Sequence, residues 1–419
     1  MSQKVILVGA KSKTTINIQD EMEELKSLCI ACEMEVIDSM VQNAEYLNPQ
    51  TYIRKGKLDE IKMIAEAKDI DVVVFNDELT PSQIANIQDI IETNVYDRTY
   101  IILEIFKRRA RTKEAVLQVD IASLQYLLPR LIGLRGDLSR QRGGGGNTNH
   151  GRGEGETKLE LDRRNIADRI ALLRSELRLL TEERLLQRKK RLKSNIPIVA
   201  IVGYTNSGKS TTLNALMNFS SNIRKEVLEK DMLFATLETS SRLIRLENRH
   251  EFILIDTVGF VHKLPHQLIE AFKSTLEEIN EANLIIHVVD ASSPHFIHQI
   301  QTTNQVLQEI GVKDIPIVYV FNKIDRIEGD FFIPPTYEKA LTMSATEGFH
   351  TEELVHIIED ELFAHEIVTT FLIPYTRGDL VSLLNEDSSV ESVSYQADGT
   401  LIKTRITPIL RAKLQEYEQ

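Results

Sequence analysis

The sequence predicts an α/β protein of several units, on three observations. An octapeptide of the pattern G-x-x-x-x-G-K-[ST], Gly203-Tyr204-Thr205-Asn206-Ser207-Gly208-Lys209-Ser210, lies between the apolar run Ile196 to Val202 and the helical pattern that opens with Thr211-Thr212-Leu213. Short apolar runs alternate with helical patterns over residues 1 to 108 and again from Ile196 onward, as in parallel sheets joined by crossover helices. Between these stretches, Leu159, Ile166, Ile170, Leu173, Leu177 and Leu180 recur at the three-four spacing of a packed helix pair.

Composition sets the outer limits. With 419 residues, 42% hydrophobic and 27% charged, the chain reads as a soluble globular protein of more than one domain. No run approaches the roughly 18 apolar residues of a membrane span. Met1 to Val8 turns straight into a strand-like run without the features of a signal peptide, so a cytosolic location and no stable membrane insertion are expected. Cys29 and Cys32 form a lone CxxC at the end of a helical pattern and read as two small buried residues. The net charge of −12 is uneven: Glu104 to Ser194 hold 22 Lys/Arg against 12 Asp/Glu, leaving 28 against 50 elsewhere. A basic segment on an acidic chain outlines a local polyanion contact, although solvated helix faces carry the same residues.

In order, residues 1–108 predict a small parallel α/β domain, with strands at Val5 to Val8, Glu35 to Ile37 and Asp71 to Phe75 and helices at Glu21 to Ile30 and Lys57 to Ala67. Arg54-Lys55-Gly56-Lys57 reads as a solvated turn before a helix. Residues 109–194 predict a long helical hairpin, its first arm carrying Val116, Val119, Ala122 and Tyr126 near one face. The stretch from Arg135 to Glu156, with Arg140, Arg142, Arg152 and many glycines, lacks the apolar residues to pack and is expected to be mobile when free. Residues 195–365 predict a doubly wound domain with strands at Ile196 to Val202, Leu243 to Leu246, Phe252 to Ile255, Leu284 to Val289, Ile317 to Phe321 and Leu341 to Met343. Residues 366–419 predict a small α+β domain without a chemical motif.

The octapeptide has the residues that polyphosphate chemistry asks for. Its glycines let the backbone bend, so that the N–H groups of Tyr204, Thr205, Asn206, Ser207 and Gly208 and those opening the helix at Thr211 face phosphate. Lys209 would supply charge to the β and γ phosphates, and the Ser210 hydroxyl would ligate Mg²⁺. Asp256-Thr257-Val258-Gly259 directly follows an apolar strand, placing a carboxylate near the metal and the Gly259 N–H near the γ-phosphate. Asn322-Lys323-Ile324-Asp325 closes another strand. There Asp325 can accept both N1–H and N2–H₂ of guanine, a donor pair adenine lacks, while Asn322 braces the loop and the Lys323 stem lies over the base. Ser344-Ala345 follows a further strand and suits contact with guanine O6. Each short motif alone is weak. All of them, each at a strand end and in this order, read as a P-loop GTPase domain.

The motifs resemble those of the translation-factor class of P-loop GTPases. Phe75 to Gln83, Arg111 to Val119, Gly151 to Glu160 and Leu233-Phe234-Ala235-Thr236-Leu237 are similar to the HflX family of ribosome-associated GTPases. Glu154 stands where that family is expected to have proline, which bears on the stiffness and charge of the tip without removing its arginines. The resemblance implies a GTP hydrolase that works on the ribosome, with the large subunit and its RNA as partner and splitting, recycling or rescue of ribosomes as the outcome. It also implies a monomer when free. Thr236 is implied as the threonine that closes over Mg²⁺ and the γ-phosphate, with Thr239 and Ser240 as rivals on sequence alone. Lys209, Thr236 and Gly259 would then carry catalysis, and Ser210, Thr236 and Asp256 the metal. Asn206 matches the position that ligates K⁺ in related potassium-dependent GTPases.

Phe260 follows the D-x-x-G motif where many GTPases have glutamine. It has no group to orient water, so intrinsic hydrolysis should be slow unless a partner, an ion or another side chain such as His262 assists. Two other readings stand beside this one: a nucleotide-gated module for a membrane or signalling partner, and an RNA-remodelling ATPase with a second nucleotide site in the N-terminal domain.

Overall fold

The computed structural model describes residues 2–11, 17–132, 151–192, 196–220, 240–247, 250–265, 268, 270, 272 and 276–419. Among these residues it is a mixed α/β chain with three sheets. In the first, β1 (Lys4–Lys11), β2 (Glu35–Asn43), β3 (Val72–Phe75) and β4 (Asn94–Asp97) are parallel in the order β2-β1-β3-β4. Alternate residues feed opposite layers. Val5, Leu7, Val72 and Val74 pack under α1 (Ile18–Ala31) and α4 (Arg98–Arg109), while Ile6, Val8, Val73 and Phe75 pack under α2 (Lys55–Lys68) and α3 (Pro81–Ile91). Polar side chains set the helix starts. Asn17 caps α1, Thr80 and Gln83 form a capping box that spans Pro81, and Asp97 accepts from the Tyr100 N–H at 2.9 Å. The short, half-polar β4 does not stand out in the sequence; it is an edge strand held by one neighbour.

α5 (Lys113–Leu127), capped by Thr112, runs into a 3-10 turn over Leu128–Ile132. It packs against α6 (Gly151–Leu192) through Leu117, Ile121, Ile170 and Leu173, with Ile166, Leu177 and Leu180 alongside. The helix begins at Gly151, six residues before the start at Thr157 that the pattern suggests. Arg135, Arg140 and Arg142 lie outside the described residues.

The second sheet has the order β10-β9-β8-β5-β7-β6. It comprises β5 (Ile198–Gly203), β6 (Ser240–Arg245), β7 (Glu251–Asp256), β8 (Leu284–Asp290), β9 (Ile317–Asn322) and β10 (Ala340–Thr342), all parallel except the β6–β7 pair. α7 (Lys209–Met217) and α9 (Thr351–Phe363) cover one face. The other face meets α8 (Phe296–Glu309) and a buried cluster that continues into the first sheet's layer, where Phe106 of α4 lies 5.3 Å from Phe272 between ring centroids. Cys29 and Cys32 are buried in that shared core, and burial pushes both thiols up to about 12.

Residues 367–419 form an antiparallel sheet of order β11-β13-β12, with β11 (Ile367–Ile373), β12 (Ser389–Gln396) and β13 (Gly399–Ile406). α10 (Gly378–Asp387) and α11 (Pro408–Leu414) pack on it through Leu384, Leu410 and Leu414. The junction with the preceding domain holds a buried histidine. His250 stacks on Phe363 at 4.1 Å, with Nδ1 2.8 Å from Glu359 and Nε2 3.2 Å from Glu366. Burial opposes charge on this ring, but the hydrogen bonds to Glu366 and Glu359 outweigh it and raise the pKa. A raised folded-state pKa gives stability that is complete below the unfolded value of about 6.5 and lost as pH rises through the folded value. The melting temperature of the parent should therefore fall relative to that of His250→Gln as pH is raised from about 6 to about 8.5. Calorimetric melts check this; a difference independent of pH contradicts it.

Candidate functional site

The octapeptide turns between β5 and α7, and its glycines are demanded by close approach. At Gly203, φ is +153° and a Cβ would sit 2.2 Å from the Val288 carbonyl oxygen; at Gly208, φ is +97° and a Cβ would sit 2.1 Å from Asn322 Nδ2. No other residue fits either place without moving backbone or a bracing amide. The loop therefore delivers the first N–H groups of α7 into its own concavity, where an anion is favoured.

The strand beside it brings the second motif. Thr257 Oγ1 donates to the Ile201 carbonyl at 2.7 Å, the Thr205 N–H donates to Phe260 O at 2.6 Å, and the Phe260 N–H donates to Gly203 O at 3.2 Å. Asp256 through Gly259 is thus seated against the loop, with a Cβ on Gly259 falling 3.0 Å from Lys209 Nζ. Ser210 Oγ donates to Asp256 Oδ2 at 3.3 Å. A hydroxyl and a carboxylate this close form a hard-oxygen pair suited to Mg²⁺. Lys209 Nζ donates to the carbonyls of Tyr204 (2.7 Å) and Gly203 (3.2 Å).

The third and fourth motifs close the far end. Asn322 Nδ2 donates to Ser207 O at 3.0 Å, and its Oδ1 accepts from the Ala345 N–H at 3.0 Å. Lys323 Nζ spans Asn206 O (2.6 Å) and Asp290 Oδ2 (2.8 Å), while Ser344 Oγ donates to Asp325 Oδ1 at 2.6 Å. Asp325 is exposed. The structure gathers Gly203 to Thr211, Asp256 to Gly259, Asn322, Lys323, Asp325, Ser344 and Ala345 around one groove. Thr236 and its rival Thr239 lie outside the described residues; the backbone of Ser240 pairs with Asp256 at the start of β6.

Some of the site escapes the sequence motifs. Asp290, which holds Lys323, closes an apolar strand and carries that modest signal. Glu24 and Arg98, which meet Tyr204, carry none, because they come from the first sheet's layer. The Tyr204 hydroxyl donates to Glu24 and accepts the His262 N–H at 2.7 Å. Glu24 pairs with the buried Arg98, whose Nη1 donates to Asn76 Oδ1 at 2.9 Å and whose Nε donates to His262 O at 3.2 Å. Lys263 Nζ reaches Glu21 at 2.6 Å and Asp77 at 2.5 Å. Residues 260–263 are therefore fastened to both units. Phe260, 1% exposed, is packed with Phe106, Leu264 and Phe272. The His262 ring faces Glu21 at 3.7 Å and His298 at 4.8 Å; burial first, then Arg98 and Lys263, lower its pKa to about 4.

Burial also lowers Lys209 to about 8, with Lys323 adding to that and Asp256 opposing it. Phosphate oxygens beside the ammonium would restore its charge. Binding of GDP at about pH 8.5 to 9 should therefore take up a proton. Calorimetry in buffers of different ionisation enthalpy should show this for the parent and not for Lys209→Met; equal uptake by both proteins would contradict it.

Strand-borne phosphate, metal and base motifs converging in this way define a P-loop GTPase. Three family models match successive parts of the chain: GTP-binding GTPase N-terminal over residues 19–107, GTP-binding GTPase Middle Region over 109–191, and 50S ribosome-binding GTPase over 198–323. The GTPase HflX of Caldanaerobacter subterraneus subsp. tengcongensis is 43% identical over 399 residues, 95% of this chain and 90% of that one. That of Lacrimispora saccharolytica is 38% identical over 417 residues, 99% and 96%. The chain belongs to the GTPase HflX family, and its reaction is hydrolysis of GTP to GDP and phosphate. A GTP-binding protein from Sulfolobus solfataricus, solved with GDP, aligns at 25% identity and a TM-score of 0.43 over 86% of this chain and 98% of that one.

Proposed function

We propose that this GTPase binds the ribosome through its large subunit in the GTP state and couples hydrolysis to splitting, recycling or rescue of ribosomes. What supports the reading is a nucleotide site fastened directly to an N-terminal unit whose packed helices α5 and α6 flank an arginine-rich stretch of sequence. The family model over residues 198–323, described as a 50S ribosome-binding GTPase, supports it. In this reading Lys209 supplies charge to the β and γ phosphates, the Gly259 N–H meets the γ-phosphate, and Asn322 with Asp325 selects guanine. Ser210 and Asp256, with Thr236, would hold Mg²⁺, which neutralises phosphate charge when bound. The buried Phe260 offers attacking water no hydrogen bond, so intrinsic turnover is slow and the ribosome, or K⁺ on Asn206, supplies the missing help. Among the described residues no helix is long and apolar enough to cross a membrane, and the protein acts in the cytosol.

Sedimentation with ribosomal particles tests this. The parent should travel with large subunits more with a non-hydrolysable GTP analogue than with GDP, and hydrolysis should rise on adding ribosomes and in K⁺ over Na⁺ at matched ionic strength. Replacing Arg135, Arg140, Arg142 and Arg152 by alanine should leave melting and intrinsic hydrolysis unchanged. Ribosome affinity and its salt dependence should both fall. A parent that sediments free of particles in every nucleotide state contradicts the ribosomal reading; a variant that matches the parent across a salt series excludes the hairpin as the contact; equal rates in both salts remove K⁺.

A further inference from the structure

A second pocket, of about 400 Å³, opens at the free edge of β4 between α3, α4 and α5, on the N-terminal unit. No part of the nucleotide site reaches it. Three tyrosines form its walls: Tyr96 and Tyr100 stack at 4.0 Å with 26° between planes, and Tyr126 lies 6.4 Å from Tyr100. Behind the lining residues Tyr126 and Arg130 lies a buried polar network. Asp97, fully buried, accepts from the Tyr126 hydroxyl at 2.8 Å and from Arg130 Nη2 at 3.3 Å. Arg130 lies over the Tyr126 ring at 3.4 Å and donates to the carbonyls of Tyr126 and Leu79, each at 2.8 Å. Its side chain is only 10% exposed, yet its Nε is buried without a hydrogen-bond partner. Gln88, Asn94 and Ser123 give the lining further donors and acceptors. Lys107 stands on the rim and begins the basic run that continues through Arg109, Arg111 and Lys113.

A wholly apolar occupant would cover the Gln88 and Ser123 side chains of the lining without offering them hydrogen bonds, at a desolvation cost. A planar heterocycle with edge acceptors suits both, stacking on a tyrosine face while its edge meets the polar groups. The adjoining basic run adds the requirement of phosphate. In duplex RNA such faces are already stacked, so the base must be unpaired.

We propose that this pocket binds one unpaired nucleobase of an RNA strand, with neighbouring phosphates on Lys107 and Arg109. The proposal rests on the reading of a ribosomal RNA partner and adds a site to it. The two failures separate experimentally. Binding of a labelled oligouridylate and of a duplex RNA of equal length to the full-length GDP-bound protein is measured by fluorescence anisotropy across a salt series. Tyr96→Ala should weaken oligouridylate binding by about 10- to 100-fold, as loss of a base–aromatic stack does. Tyr96→Phe, which keeps the π-face, should stay within about twofold of the parent. Lys107→Ala with Arg109→Ala should lower affinity and flatten the salt dependence. Melting temperature and GDP affinity serve as fold controls. If Tyr96→Ala melts early, Tyr96→Leu keeps apolar volume without the stacking face and should lose binding equally. Oligouridylate binding unchanged in the alanine or leucine variant overturns the proposal, as does duplex RNA that responds to Tyr96 like the single strand. Loss of sedimentation with ribosomal particles by Tyr96→Ala, together with unchanged oligouridylate binding, also overturns it and assigns the pocket to a protein segment. A parent that never sediments with particles, while Tyr96 still governs oligouridylate binding, supports the pocket and rejects only the ribosomal reading.

Discussion

The nucleotide groove depends on the two hydrogen bonds of one side chain. Asn322 ties the carbonyl of Ser207 in the octapeptide loop to the N–H of Ala345 in the loop after β10, so the two loops are held at a fixed separation. The same amide forbids a side chain at position 208. Buried and satisfied on both sides, Asn322 acts in a low dielectric where such bonds are stronger and their loss is costlier than at the surface. Strand β9 ends at Asn322 itself, so the apolar core beneath, from Val318 and Val320 to Phe321, sets its position. Packing thereby becomes site geometry.

The second constraint comes from outside the GTPase domain. Tyr204 is part of the phosphate loop, but its hydroxyl belongs to a network completed by Glu24 and Arg98 from the N-terminal unit. Arg98 is fully buried, and a buried ion pair repays its desolvation only when further hydrogen bonds satisfy both partners; Asn76, His262 and Tyr204 provide them. The segment after D-x-x-G is gripped at His262 through both its N–H and its carbonyl, while Phe260 fills the apolar core between the units. A side chain chosen for packing cannot also orient water. The absence of a glutamine there thus has a structural cause.

Much of this was legible in the sequence, because phosphate, metal and guanine chemistry impose short motifs at strand ends, and strands β5, β7 and β9 are apolar runs that end at Gly203, Asp256 and Asn322. The three-sheet layout followed from apolar periodicity, and the helical seam from Ile166 to Leu180 did too. What could not be read depends on contacts distant in sequence. Glu24 and Arg98 are ordinary charged residues on helical patterns until the fold brings them to Tyr204, and β4 is too short and polar to register. The start of α6 at Gly151 was missed because glycine-rich composition argues against helix, and an isolated stretch gives no sign that a long helix will propagate into it.

The central claim is that Asp325 at the open end of this groove selects guanine. Binding of GTP, ATP and XTP to the parent and to Asp325→Asn, by titration calorimetry at fixed Mg²⁺, tests it most directly. The account predicts that the substitution weakens GTP by about 1 to 3 kcal/mol, since one acceptor becomes a donor facing a donor, while XTP improves and the melting temperature stays put. An equal loss for all three nucleotides, or no loss for GTP, would contradict it.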